Sequence, residues 1–389
     1  MMKKNFRLFI TSDIISQFGA GLILVALNWY IIDIYHSNSL IAIVANINVI
    51  AGILISIVAV GILKCINARW LVISSICFRI FFIVLALVLF KMNLDKKLAI
   101  YLLALSGGIG WNLYFPASKD ILNSFMTEDN ALQINSFAEI SMQVGLLTAT
   151  LFSGILYRYV GFENILVIGI VLFVSSLLIF SSVKYSEQNK IKADKNVQLF
   201  SYFLKEKWLL LLGIVLYIPF IGTNIITTAL PGYIKDHLSG NSIVYGITDT
   251  MYGVGACLAS FVLPFIVKYF NKEKLILFLF IFSIILGAVL SLNQKLSLAI
   301  GYIFLLGMVE PVIRTIMYTR TMEIVPSTLL GAVVAFWNFI NLILQFFANY
   351  GVGKVMDDVG PQWGFIIYAG VMILGSLIFI GIKKPYKTT

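Results

Sequence analysis

The stretch WLLLLGIVLYIPFIGTNIITTALPGYI, residues 208–234, contains no Asp, Glu, Lys or Arg. A helix rises about 1.5 Å per residue and the hydrocarbon core of a bilayer is about 30 Å thick, so roughly 20 such residues cross it. This run is long enough to span a bilayer and too long for an ordinary strand, and a soluble core helix would show one polar face. Immediately before it lies the most hydrophilic part of the chain, residues 184–207, with Ser186, Glu187, Gln188, Asn189, Lys190, Lys192, Asp194 and Lys195 and no sustained apolar pattern. That segment reads as a flexible linker.

The same ruler applied in both directions finds further spans. Before the linker they fall at about 8–34, 40–63, 70–90, 98–118, 131–157 and 162–183. After it come 208–234, 243–267, 275–292, 296–318, 329–355 and 363–382, the ninth being the shortest. Composition agrees: the 389 residues are 60% hydrophobic and only 12% charged, half the charge a water-facing surface of this size carries. The expected fold is therefore an all-α membrane protein of about 12 transmembrane helices. Its organisation would be a six-helix bundle in residues 1–183, a cytoplasmic linker in 184–207 and a second six-helix bundle in 208–389.

The net charge of +10 does not point to nucleic acid, because the cations sit in short loops and form no continuous stripe. They set topology instead. Lys3, Lys4, Arg7, Lys64, Arg69, Lys119, the linker lysines, Lys268, Lys272, Lys274, Arg320, Lys383, Lys384 and Lys387 fall on one side, which is assigned to the cytoplasm with both termini. Lys91, Lys96, Lys97, Arg158, Lys235, Lys295 and Lys354 fall on the other. Cys65, Cys77 and Cys257 are widely separated, and His36 and His237 lie at span edges, so no metal site, disulfide framework or cofactor is expected. The first apolar run has no small-residue cleavage site and reads as a retained span.

Polar groups inside spans are costly and mark interior-facing surfaces. Span one carries Asp13, Gln17, Gly21, Leu24 and Asn28 at helical spacing; span five carries Asn135, Glu139, Gln143 and Thr150; span eleven carries Asn338, Asn341, Gln345 and Asn349. Interhelical hydrogen bonding explains such stripes as well as cavity lining does. In span ten, Glu310 and Arg314 are four residues apart, on one face and within pairing reach. Pro311 withholds the hydrogen bond to Gly307 and weakens that turn, which makes Glu310, Pro311 and Arg314 candidates for gating or ion coupling. Whether Glu310 is a protonatable carboxyl or half of a fixed ion pair stays open. Arg79, alone in span three, pairs with Glu139 or another acid, or meets an anionic substrate. Asp249 lies inside span eight on a face with Tyr245 and Tyr252, and Asp13 and Glu323 sit near cytoplasmic ends, where solvated or gate-associated roles are expected. The substrate-cavity candidates are Gln17, Asn28, Trp111, Tyr114, Phe115, Tyr217, Asn224, Trp337, Asn338 and Asn341, an aromatic and weakly charged set suited to bulky apolar ligands. Trp70, Trp208 and Trp363, at span ends, read as interfacial anchors.

A slide of 198 residues lays span one on span seven and span four on span ten, and Thr127 to Leu132 on Val325 to Leu330. With Ser16-Gln17-Phe18-Gly19, the run from Gly110 to Ser118, and the run from Glu323 to Gly331, the chain resembles the major facilitator superfamily, especially its bacterial macrolide-efflux and siderophore-exporter branch. The resemblance implies two pseudo-symmetric bundles, a cavity lined by spans one, four, seven and ten, and a monomer. The departures are specific. In the loop pattern G-x-L-x-D-R-x-G-R-R the chain keeps Gly61, Leu63 and Arg69 but has Cys65 in place of Asp and Ala68 in place of Gly. Lys268 stands near the matching acid in the second half, Ala332 replaces an Arg, and span five keeps only Gly145 and Gly154 of the antiporter glycine series.

The function expected is a secondary transporter: gradient-driven efflux, most simply by protons, of a small amphipathic compound from the cell membrane of a bacterium. A dedicated metabolite, siderophore or peptide exporter, or an importer, is the alternative. No G-x-x-x-x-G-K-[ST], H-E-x-x-H or G-x-S-x-G occurs and nothing resembles a selectivity filter, so ATP hydrolysis, intramembrane enzymology and channel activity are disfavoured.

Overall fold

The computed structural model describes residues 2–65, 67–126, 131–183, 207–325 and 327–382, and among these residues every regular element is a helix. In chain order they are α1 (Met2–Tyr35), α2 (Asn38–Cys65), α3 (Ala68–Lys91), α4 (Lys96–Asn123), α5 (Ala131–Val160), α6 (Phe162–Ser181), α7 (Lys207–Gly232), α8 (Ser242–Tyr269), α9 (Lys272–Leu292), α10 (Leu296–Ile324), α11 (Ser327–Val359) and α12 (Trp363–Gly381). All 12 contain a stretch long and apolar enough to cross a membrane. Several helices overrun the apolar spans: α1 starts at Met2, and α4 and α11 run on to Asn123 and Val359. The extra turns are polar, and a helix costs nothing to extend into water once nucleated in lipid, where backbone groups have no partners but each other.

Local sequence sets the starts. Asn67, Asp95 and Asn271 adopt extended backbone and accept from the N–H of Arg69, Leu98 and Glu273, respectively, each an N-cap of the usual kind. Pro116, Pro219 and Pro311 lie within α4, α7 and α10. At the end of α7, after Pro231, the chain widens into a π-helical turn over Tyr233–His237, pinned by the Tyr233 hydroxyl donating to the Leu290 carbonyl. Trp70 and Trp363 are exposed at helix starts, as interfacial anchors are.

The chain forms two compact units. Unit 1 comprises Met1–Tyr35, Ile43–Ile191 and Asn241–Thr250; unit 2 comprises His36–Ala42, Lys192–Gly240 and Met251–Thr389. Segment 184–206, the expected linker apart from Lys207, lies outside the described residues, as do 127–130 and Pro326 of the repeat comparison. In unit 1, α1 packs on α5 and α6, and α3 on α4 and α6. In unit 2, α7 packs on α11 and α12, and α9 on α10 and α12. Each pairing recurs six helices later, which is the internal repeat expressed in packing.

Unit 2 also holds the start of α2. Asp357 of α11 accepts hydrogen bonds from the Asn38 N–H at 2.6 Å, the Ser39 N–H at 3.1 Å and the Ser37 hydroxyl at 3.0 Å, capping α2 from a distant helix.

Candidate transport site

Glu310 of α10 is fully buried in unit 2. Its Oε2 accepts from the Thr223 hydroxyl of α7 at 2.6 Å and from the Tyr252 hydroxyl of α8 at 2.5 Å, and those two hydroxyls are themselves 3.0 Å apart. Its Oε1 faces Gly222 and the Tyr368 ring of α12, and neither Oε1 nor the Tyr368 hydroxyl has a well-formed hydrogen bond. Tyr252 reaches the acid because α8 and α10 touch backbone to backbone. A Cβ on Gly307 would strike the Tyr252 carbonyl oxygen, and one on Gly255 the Phe304 carbonyl oxygen.

Of the two readings open for Glu310, the direct ion pair with Arg314 is not found among the described residues, although the two charges stay within electrostatic range. Arg314 lies with its guanidinium 4.5 Å from the centre of the Phe220 ring on α7, and among the described residues no ion pair joins it to Glu310. The four-residue spacing puts both on one face, but Glu310 turns into the helix bundle while half-buried Arg314 finds the π face of a phenylalanine, a favourable place for a planar cation. The ion pair present at this end of the helix is Arg320 with Glu273 of α9, at 2.6 Å.

The face between α7 and α11 holds other candidates. Asn224 donates to Gln345 at 3.0 Å, and Gln345 donates to Asn341 at 3.2 Å, an amide ladder joining the two helices. Trp337 is buried with its indole against Gly213, and Tyr217 lies 5.3 Å from Phe220 between ring centres. Asn338 is exposed, one residue round the helix from Trp337 and off this face.

In unit 1, Asp13 of α1 is buried, not solvated as its position near the N-terminus suggested. Because α1 begins at Met2, Asp13 lies three turns inside the helix. Its Oδ1 accepts from Tyr114 of α4 at 2.7 Å and from Gln17 at 3.2 Å; its Oδ2 accepts from Ser141 of α5 at 2.5 Å. Tyr114 is electrostatically coupled both to Asp13 and to Arg79 of α3, which is buried against the Phe173 ring at 5.4 Å. Trp111 and Phe115 stack on each other at 5.2 Å, with Phe115 exposed. Asn28 lies beside Tyr245, whose ring neighbour is Trp29, and Asp249 lies half-buried one turn on. The side chain of Glu139 is outside the described residues, as is that of Glu323.

A family model, transmembrane secretion effector of the major facilitator type, matches residues 1–388. The chain belongs to that family. Among solved structures, the chain resembles a bacterial homologue of the iron transporter ferroportin in an inward-facing state, with a TM-score of 0.78, 14% identity and coverage of 97% of this chain and 98% of that one. The nucleoside transporter NupG gives 0.77, with 14% identity and coverage of 98% and 100%. A bacterial homologue of the human lysosomal transporter Spinster, inward-facing and occupied, gives 0.72, with 13% identity and coverage of 97% and 96%. At such identities the likeness establishes the fold, and the fold alone says nothing of cargo. No curated relative matches the sequence.

Sequence reasoning singled out Glu310, Asp13, Tyr114 and Arg79 of this chain but missed Thr223, Ser141 and Tyr368, the groups around the two acids. Hydroxyls at those positions carry no local signal, since Ser and Thr in membrane helices commonly bond to their own backbone; Thr223 and Ser141 do that as well.

Proposed function

We propose that this member of the major facilitator type is a proton-driven exporter of a small amphipathic organic compound, working by alternating access in a bacterial cell membrane with both termini in the cytoplasm, as a monomer. Residues 1–183 and 208–389 would serve as the two halves of that cycle, joined by 184–207. The observation that carries this reading is the Glu310 site: a carboxyl with zero exposure, two hydroxyl donors on one oxygen and no ion-pair partner among the described residues. A fully buried carboxylate whose nearest cation, Arg314, makes no direct ion pair with it is expensive, whereas its protonated form needs only an acceptor for one hydrogen, and the Tyr368 hydroxyl lies on the side of Oε1. The site therefore accommodates both states of an acid that takes up a proton and releases it. Pro311, next in sequence, leaves a turn of α10 short of one hydrogen bond where the carboxyl must change partners.

The test is accumulation of a labelled macrolide, a cationic dye and an iron chelator in expressing cells, with and without a protonophore. Export predicts lower accumulation of at least one compound, restored by the protonophore and by Glu310→Gln at equal expression. Protonophore-insensitive efflux, or a Glu310→Gln variant that exports normally, overturns the proton assignment.

A further inference from the structure

Arg79 has no role in the Glu310 site, yet it is the most costly residue in unit 1. Only 4% of it is exposed, its Nε is enclosed and unpartnered, and its side chain donates no hydrogen bond to any described residue. Among the described residues its electrostatic partners are the ring of Phe173, 5.4 Å away, and Tyr114, whose hydroxyl already donates to Asp13. Buried arginines ordinarily sit on a carboxylate, because the guanidinium offers five donors in a planar fork and dehydrating them is not repaid by a ring face.

The packing around it keeps this position open. The arginine lies flat on α4 at Gly110, where a Cβ would strike its Nε, Cγ and Cδ together. The guanidinium lines a cavity of ≈ 50 Å³ bounded by α1, α2, α3, α4 and α6. Its walls are mostly apolar, among them Ile23, Ile83 and Leu103; Asn48 and Ser106 are the other polar residues on it. Leu24 and Gly107, both exposed, mark its mouth. The space exceeds the minimum for one water and suits a carboxylate-sized group better than a whole ligand.

We propose that this cavity is an oxyanion subsite, in which Arg79 receives the carboxylate or sulfonate of an amphipathic organic anion whose apolar body remains at the mouth by Leu24 and Gly107. The inference refines the exporter reading by assigning its cargo a negative charge, and rests on it only for the word cargo; binding stands or falls separately. A carboxylate or sulfonate would present two oxygens to the N–H donors that no described residue accepts from, and the apolar walls would strengthen that contact.

The experiment is thermal unfolding of the full chain purified in a neutral detergent, titrated with benzoate, benzamide, inorganic phosphate or phosphatidylglycerol. Benzoate is expected to raise the midpoint and benzamide to leave it unchanged. Arg79→Gln should weaken the benzoate response at least tenfold, Arg79→Lys should retain part of it, and Gly107→Leu, which narrows the mouth and leaves Arg79 in place, should weaken it too. Without ligand, Arg79→Gln should melt no lower than the wild type, since it removes a buried charge that no described residue pairs; a clear fall would make Arg79 a structural residue and overturn the proposal. Equal responses to benzoate and benzamide, an Arg79→Gln variant that still responds, or no response to benzoate would overturn it as well. A response to phosphate alone would mean an adventitious ion only, and one to phosphatidylglycerol alone a lipid site; either sinks the organic-anion assignment. Glu310→Gln should bind benzoate normally, so that lost export with retained binding counts against neither claim.

Discussion

Each unit buries one acid among hydroxyls, and the two are served very differently. Asp13 has both oxygens occupied, by Tyr114 and Gln17 on one and Ser141 on the other. Glu310 has two donors crowded on Oε2 and an Oε1 with no well-formed hydrogen bond. Three well-placed donors hold the Asp13 carboxyl in one position, in the manner of a structural strut. A half-served carboxyl has a second arrangement available, with its hydrogen on the empty oxygen. The difference teaches that burial alone does not mark a coupling residue; the count of committed partners separates the strut from the carrier.

That contrast can be broken by experiment. The largest effect expected is on transport: Glu310→Gln should remove protonophore-sensitive efflux, while Asp13→Asn should leave coupling intact. Equal uncoupling by Asp13→Asn, read in the same accumulation assay, would erase the distinction. Next comes stability. Asp13→Leu strips an acceptor from three buried donors and should cost about 1–3 kcal/mol, visible as a lower midpoint of unfolding in detergent; a neutral result would mean that Asp13 is not a strut. Tyr252→Phe removes one donor from Glu310 and should cost about 0.6 kcal/mol and no more than about 1.7, the average and maximum for hydrogen bonds between membrane helices. It should also alter the pH profile of efflux, which Tyr114→Phe should leave in place. The smallest effect belongs to Arg320 and Glu273. With Glu273 half exposed, a double-mutant cycle should return about 0–1 kcal/mol, and a larger coupling would move attention from Glu310 to this end of α10.

The helices were legible because hydropathy is additive along the chain: a window of residues 208–234 reports its own environment without knowledge of any neighbour. The repeat was legible for the same reason, through equal numbers of spans. Glu310 and Arg79 stood out as charges inside apolar runs. Their partners did not, since Thr223 is 87 residues from Glu310 in sequence and Ser141 is 128 from Asp13. Spacing put Arg314 on the face of Glu310 correctly in register, yet register cannot say which way a long side chain leans, and Phe220 drew it aside. Asp13 lies deeper than its nearness to the N-terminus suggests, because α1 begins 11 residues earlier, at Met2. The ion pair of Arg320 and Glu273 joins residues 47 apart on two helices, and no local motif announces it.

The cap supplied to α2 by Asp357 carries a consequence for biosynthesis. Asn38 leaves the ribosome 319 residues before its acceptor does. At about 5–20 residues per second, the first turn of α2 waits on the order of 16–64 s for its partner. During that interval its N–H groups must be satisfied by water or lipid headgroups, so the second helix inserted is among the last to be finished. A nascent chain arrested before α11 would carry all of α2 and none of its cap.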